Sequence, residues 1–558
     1  MADLQTCPNK NHLAKLVDWY RRHPYGFLVL LTTLTLAPFL AKPFSMDDPC
    51  YLWAAKQIQA HPTNPYGFNV NWVGSTQPMW QVTQNPPLLS YYLAVAALIF
   101  GWSEIGMHLA CLLPAIAVVL GTFRLAKNFC RWPLLAALAT LFAPDFLVSS
   151  TTIMCDVAML AFWVWAVVYW TEGLRQNIYF KLAAAGTLAG MALLTKYNGA
   201  SVIPLLAAYG LLEKRSVGRW ALYLLIPVAA FFTYEWLTLH CYGQGLFSAA
   251  AHYARSEQSI FGTSKLLAGL NALTFTGGCF AAALFCAPFL WRQGMLTLFA
   301  AGAGLFMALT LAGGIMAKNY GWITGNIGLG VVETQMLIWT TGGVSVLALA
   351  VADVQRNRTA DAGLLALWVL GTIAFAAFFN WTVNGRSLLA MAPAVGTLIA
   401  RRLEQNRQTQ PAGIKYCILA SAALALLVAQ ADYQMASANR KGAEQVCTKY
   451  ANLPGRVWFE GHWGFQYYMQ AFGAWPLDVN HLEVKPGDFL IIPEKNPNTA
   501  APDSRISTRV DTFALPIFPG LATMSLEAGA GFYFSRWGPL PFAFGNIPPE
   551  NLSAYAIQ

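Results

Sequence analysis

The sequence predicts a polytopic α-helical membrane protein of about 13 transmembrane helices, followed by a small extracytoplasmic α/β domain at the C-terminus. Three observations carry this. Of 558 residues, 56% are hydrophobic and only 11% are charged, whereas a soluble domain carries about 25% charged residues. Apolar runs recur from Tyr25 to Ala431, separated by short Lys and Arg clusters. After Asp432 the pattern stops: charges, Pro and Gly rise and no spanning run remains. The formal charge of +9 therefore reads as positive-inside loops, not as a nucleic-acid surface.

The elements follow in order. Lys10, Lys15, Arg21 and Arg22 place the N-terminal segment in the cytoplasm. Tyr25–Ala41 is long enough to span and reads as an anchor, not a cleaved signal. It delivers Asp47 and Asp48 to the outer face. Pro87–Phe100 is about 14 residues, short for a crossing. A crossing there would also strand Arg124, Lys127 and Arg131 outside, so it reads as a juxtamembrane or re-entrant helix. Ile105–Ala126 runs inward and Leu134–Leu147 outward. Asp156 opens the return span, which ends near Arg175. Phe180–Leu194 runs out to Lys196, Ser201–Leu212 returns, and Trp220–Leu239 runs out to an outer loop, His240–Lys265. Gly269–Leu290 ends inside at Arg292, and Met295–Met316 runs out to Lys318. Val331–Ala352 returns to Arg356 and Arg358, and Gly363–Trp381 runs out. Ser387–Ala400 returns to Arg401 and Arg402, and Ile414–Ala431 runs out. The chain thus divides into residues 1–431, with a first outer loop at about 42–104, and residues 432–558. In the second part, Arg456–Glu460 and Asp488–Pro493 read as short buried strands, with Trp463–Phe472 as a helix between them. The ten cysteines lie mostly in or beside spans and read as free, apolar side chains.

A charge at a membrane boundary is costly unless it has work to do. The polar residues at the outer ends of the spans are therefore the candidate site. They occur as Asp47-Asp48-Pro49-Cys50-Tyr51, Gln84-Asn85-Pro86-Pro87-Leu88, Asp156 and Leu193-Leu194-Thr195-Lys196. Asp47, Asp48 and Asp156 each also suit a helix N-cap, and Lys196 suits a snorkelling anchor.

These four motifs, in this order, resemble the GT-C membrane glycosyltransferases of the protein O-mannosyltransferase and aminoarabinose (lipid A) transferase group. The resemblance covers about Tyr25–Leu212 by motif, and the remainder by architecture. It implies a GT-C fold in a bacterial cell membrane. It also implies a donor sugar carried on a polyprenyl phosphate and a hydroxyl acceptor on a lipid, glycan or protein. Asp47 aligns with the first acid of the family motif, which implies the general base. Asp48, where the family has Glu, either supports a metal, orients Asp47 or caps the helix. Asp156 orients the acceptor, binds a metal or holds the phosphate site. Lys196 is implied as a phosphate contact. The outer-loop residues Arg255 and His252, and the outer cations Lys318 and Arg386, are further phosphate candidates. Tyr51, Gln84 and Asn85 line the substrate loop, and Gln84-Asn85 stands where the family has Lys before Pro-Pro-Leu. A divalent metal on Asp48, Asp156 and His252 is a candidate cofactor.

Gly461-His462-Trp463-Gly464 reads as packing or a carbohydrate-facing patch, and Trp72 and Trp80 suit stacking on sugar. Two rivals stand beside the enzyme. A transporter of lipid-linked sugars would place ionisable groups at mid-membrane, whereas here they gather at outer span ends. A non-catalytic assembly protein would retain the fold alone.

Overall fold

The computed structural model describes residues 22–261, 264–321, 329–406 and 411–558. Lys10, Lys15 and Arg21 lie outside them. Among the described residues, seven helices are long and apolar enough to cross a bilayer: Glu104–Phe129, Asp156–Gln176, Arg219–Tyr242, Gln293–Ala312, Gly330–Asn357, Ala360–Phe379 and Ile414–Tyr450. A bent pair, Pro133–Leu141 and Pro144–Ser150, gives up to eight. The expected 13 is not reached on that measure. Pro24–Phe39, Leu88–Phe100 and Tyr179–Thr195 are shorter apolar helices.

Where the expected spans break, the sequence supplies the reason. Leu134–Leu147 is not one straight span, because the chain bends by 60° before Pro144. Pro144 offers no N–H to continue the ladder, and Ala143 ahead of it is extended, with ψ 128°. Leu88–Phe100 is 13 residues, about 20 Å of helix, against a hydrocarbon core of about 30 Å. It packs beside Asp48–Ala60, the other helix of the first outer loop.

The helix Ile414–Tyr450 is 37 residues long and passes straight through Asp432. Composition changes at Asp432, but the residues beyond it are good helix formers without proline. At about 55 Å the helix projects well past the bilayer and carries the C-terminal sheet on its end. That sheet runs Trp475–Pro476, Val457–Phe459, Phe489–Pro493, Glu550–Ile557, Ser507–Leu515. Val457–Phe459 is parallel to both of its neighbours, and Glu550–Ile557 is antiparallel to both of its own. Two strands and the helix Trp463–Ala471 fall where the apolar runs place them.

The segment between Leu521 and Phe544 turns back onto the helices. Tyr533 donates to Asp432 at 3.0 Å, the Ser535 carbonyl accepts from Tyr320 at 2.7 Å, and Phe542 packs edge-on against Trp339. The C-terminal part is therefore bound to the helical part by buried polar contacts.

Candidate functional site

The site begins with a strained turn. Met46 is buried and holds φ at 47°, left-handed for a non-glycine residue. The turn is fixed from its far side by Asp48. One Asp48 oxygen accepts the Ser45 N–H and the other accepts the Ile153 N–H, both at 2.8 Å. Ile153 lies three residues before Asp156, so this one side chain ties the first outer loop to the start of the next motif. Asp48 is fully buried, and burial pushes its carboxyl up to about 7.

Asp47 and Asp156 then meet at one guanidinium. Arg386 donates from Nη1 to Asp47 Oδ2 at 2.8 Å and from Nε to Asp156 Oδ2 at 3.0 Å. The second Asp156 oxygen accepts from Lys196 Nζ at 2.5 Å. Four sequence-distant charges thus form a line: Asp47, Arg386, Asp156, Lys196. Asp156 and Lys196 are buried (1% and 7% side-chain exposure), Arg386 is nearly so, and Asp47 is 38% exposed. Only Asp47 opens substantially to solvent, and its Oδ1 has no hydrogen-bond partner among the described residues.

The substrate-loop residues surround this line. Tyr51 and Cys155 share a hydrogen bond at 3.0 Å, and Asn85 donates to the Tyr51 hydroxyl at 3.3 Å. The Asn85 carbonyl accepts from Tyr66 at 2.6 Å, while its side-chain oxygen is buried without a partner. Gln84 turns away and donates to the Gln81 carbonyl. Asp145, which sequence reasoning passed over, is fully buried nearby; Ser149 donates to one of its oxygens at 3.4 Å and the other has no partner.

The C-terminal part closes the site through Gly461-His462-Trp463-Gly464. Gly461 holds φ at 89°, and a Cβ on Gly464 would sit 2.2 Å from the Phe44 carbonyl oxygen. Glycine there lets the helix Trp463–Ala471 press against the backbone leading to Asp47. His462 lies tilted against Trp72, with ring centres 5.1 Å apart, and its Nδ1 is buried without a partner. Burial pulls its imidazole down to about 4, and the Asp47 charge opposes that pull.

Beside the line lies a cavity of about 360 Å³ with Arg255, Lys265 and Arg536 in its wall. Asn380, also in the wall, accepts a hydrogen bond from Tyr197, next to Lys196. Tyr253 joins the two regions: its ring meets Trp381 of the wall at 5.9 Å, and burial, Glu257 and Asp47 push its hydroxyl up to about 12. Of the other expected phosphate contacts, His252 and Lys318 are exposed and do not line this cavity.

Among the described residues, Asp48, Asp156 and His252 do not gather as one metal donor set. Both Asp48 oxygens are taken by backbone N–H groups, both Asp156 oxygens by cations, and His252 faces solvent. Among the described residues no three His, Cys, Asp or Glu side chains gather as a metal site. The positive charge here is supplied by Arg and Lys.

Arg386, read from the sequence as a phosphate candidate, instead bridges Asp47 and Asp156, and sequence reasoning missed Lys42 and Asp432. Lys42 donates to Asp432 at 2.5 Å with both side chains fully buried, and Thr523 and Tyr533 also donate to Asp432. A lysine just beyond the first span and an aspartate in an apolar helix were the available signal.

Residues 84–237 match the family model described as dolichyl-phosphate-mannose-protein mannosyltransferase. No curated protein matches the chain. ArnT from Cupriavidus metallidurans, in a crystal structure bound to undecaprenyl phosphate, is 14% identical at a TM-score of 0.44, covering 84% of this chain and 92% of that one. The Archaeoglobus fulgidus oligosaccharyltransferase tethered with an acceptor peptide is 13% identical at a TM-score of 0.48, covering 82% of this chain. This chain spans 64% of that protein. Arabinofuranosyltransferase AftD from Mycobacteria is 12% identical at 0.39, with 96% of this chain and 40% of that one covered. The family match holds Asn85, Asp156 and Lys196, so over residues 84–237 this membrane protein is similar to the dolichyl-phosphate-mannose-protein mannosyltransferases that its motifs resemble.

Proposed function

We propose that the chain is a membrane glycosyltransferase that moves one sugar from a polyprenyl-phosphate donor to a hydroxyl acceptor at the outer membrane face. The observation that carries this reading is the Asp47–Arg386–Asp156–Lys196 line with its single opening at Asp47. In the reaction, the acceptor oxygen attacks the anomeric carbon as the bond from that carbon to the phosphate oxygen breaks. Asp47 Oδ1 takes the acceptor proton. Arg386 holds Asp47 in place through Oδ2, and Asp156 with Lys196 fixes Arg386 from behind. The leaving phosphate gains negative charge, which Arg255, Lys265 and Arg536 of the adjacent cavity are disposed to neutralise. One displacement at the anomeric carbon inverts its configuration.

The test is mass spectrometry of lipid-linked sugars and surface glycans in cells with and without the chain. A glycan that disappears on deletion, and a lipid-linked sugar that accumulates, identify acceptor and donor. Asp47→Asn should fail to restore the glycan while inserting and folding normally, with transfer reduced by at least about 10²-fold. Full restoration by Asp47→Asn would overturn the assignment. A deletion that changes neither pool would favour the assembly-protein reading.

A further inference from the structure

At the helix ends remote from Asp47 there is a second cavity, of about 730 Å³. Its wall carries Arg292, Arg356 and Arg402, together with Phe289, Trp291 and Met295. Gln335, which meets the C-terminal segment at Phe544, is 21 residues before Arg356 on the same helix, about 32 Å away along its axis. Arg356 therefore lies toward the other end of this helix from the C-terminal segment, whose Ser535 and Arg536 line the first cavity. The three arginines come from three loops that the charge pattern places on the inner face.

The arginines differ from their neighbours. On this face Arg124 pairs with Glu172, Arg131 with Glu404, Arg175 with Asp361, and Arg401 with Asp353. Arg292, Arg356 and Arg402 make no ion pair among the described residues. The carboxylates nearby are already engaged: Asp353 accepts from Arg401, Gln405 and Asn357, and Glu404 accepts from Arg131. Yet two of the three cations are held in place. Arg402 donates from Nε to the Leu290 carbonyl at 3.2 Å and lies over the Trp291 ring at 4.5 Å, and Trp291 itself is fixed by Ser345 at 2.8 Å. Arg356 donates to the Gln405 carbonyl at 3.3 Å. Burial, and then the charge of Arg356, lower the Arg402 pKa, so the two guanidiniums are near enough to repel. Asp353 offsets this only in part, being engaged by Arg401, and like charges ordered together are stabilised by a bound anion.

We propose that this cavity binds the phosphate headgroup of an anionic membrane phospholipid. Guanidinium groups match phosphate oxygens in bidentate geometry. Phe289 and Met295 give an acyl chain an apolar wall beside the headgroup. The shared chemistry with soluble phosphate is the anion, and the apolar wall is what selects the lipid.

The test is native mass spectrometry of the purified chain titrated separately with phosphatidylglycerol, phosphatidylcholine and inorganic phosphate. The expected result is retention of phosphatidylglycerol over phosphatidylcholine. Its affinity should fall at least about tenfold in Arg292→Gln and further in Arg356→Gln/Arg402→Gln. Arg292 is exposed and makes no contact that the fold needs, so that variant remains informative if the double variant is unstable. Equal retention of phosphatidylcholine, or unchanged affinity in Arg292→Gln, would overturn the proposal. Displacement of the lipid by inorganic phosphate at similar concentration would replace the lipid with a soluble phosphate ligand.

Discussion

Asp48 accepts the Ile153 N–H at 2.8 Å, and through that one bond the turn carrying Asp47 is locked to the loop carrying Asp156. With Ser45 bound to its other oxygen, Asp48 is a positioning residue, and Asp47 beside it is the group that meets solvent. Under the proposed function the pair of adjacent acids divides its work: Asp48 builds the turn and Asp47 is the base.

Asp48→Asn tests that division. Asn keeps the size but has one acceptor oxygen, and its NH2 would face a backbone donor. The lost bond should cost about 1–3 kcal/mol of stability, read as a lower unfolding temperature in detergent. Turnover should fall while affinity for polyprenyl phosphate stays unchanged, because none of the residues lining the cavity proposed for the phosphate belongs to this turn. Asp48→Glu should not rescue, since an added methylene has no room in a fully buried site. A variant with normal turnover and stability would remove the positioning role.

The site's polar geometry also predicts an acid limit. Burial lowers His462 from its ordinary 6.5 to about 4. Between those values the unfolded chain takes a proton that the folded chain refuses. The stability tied to neutral His462 is thus fully present above about pH 6.5 and is lost as pH falls toward 4, by at most about 3 kcal/mol. His462→Gln removes this titration. The stability difference between wild type and variant, followed by thermal unfolding, should shrink or reverse across that window. A difference that stays flat from pH 7 to pH 4 would show that His462 is not buried neutral.

Much of this was legible in the sequence, for identifiable reasons. The shortness of Leu88–Phe100 could be counted, and the strands at Val457–Phe459 and Phe489–Pro493 showed as apolar runs between turn residues. Asp47, Asp156 and Lys196 stood out because charges are rare in such a chain. Arg386 did not. As one cation near a span end it looks like any anchor, and its importance rests on pairing with residues 339 and 230 positions away. The break at Pro144 was readable from proline chemistry, yet hydropathy alone averaged across it. At Asp432 the composition changes but the helix does not end, because composition reports solvent exposure and a helix can continue from lipid into water.

Lys42 and Asp432 give a stability prediction. Both are fully buried, and the pair joins the end of the first apolar helix to the long C-terminal one. Lys42→Met alone leaves a buried carboxylate and should cost about 3–5 kcal/mol. Lys42→Met with Asp432→Leu should recover only part of that, because Thr523 and Tyr533 would then lose their acceptor. Thermal unfolding of the three proteins in one detergent checks the order. Full recovery in the double variant would mean that the two hydroxyls find other partners.

Two of the cations read from the sequence as phosphate contacts, Arg255 and Lys196, should behave differently. Arg255 is exposed and lines the cavity of about 360 Å³, so Arg255→Ala should leave the fold intact. A charge-assisted contact contributes about 1.5–3 kcal/mol, so affinity for polyprenyl phosphate should fall about 10–150-fold. Lys196 is buried against Asp156. Lys196→Ala leaves that carboxylate to Arg386 alone, and the loss should appear first as instability of about 3–5 kcal/mol. Direct binding of polyprenyl phosphate to purified protein, with unfolding temperature measured on the same samples, separates the two effects. A stable Lys196→Ala protein with weakened binding would return Lys196 to the phosphate site. Unchanged affinity in Arg255→Ala would remove Arg255 from the leaving-group contact, and unchanged affinity in Arg255→Ala/Lys265→Ala as well would move that contact from this cavity to Arg386.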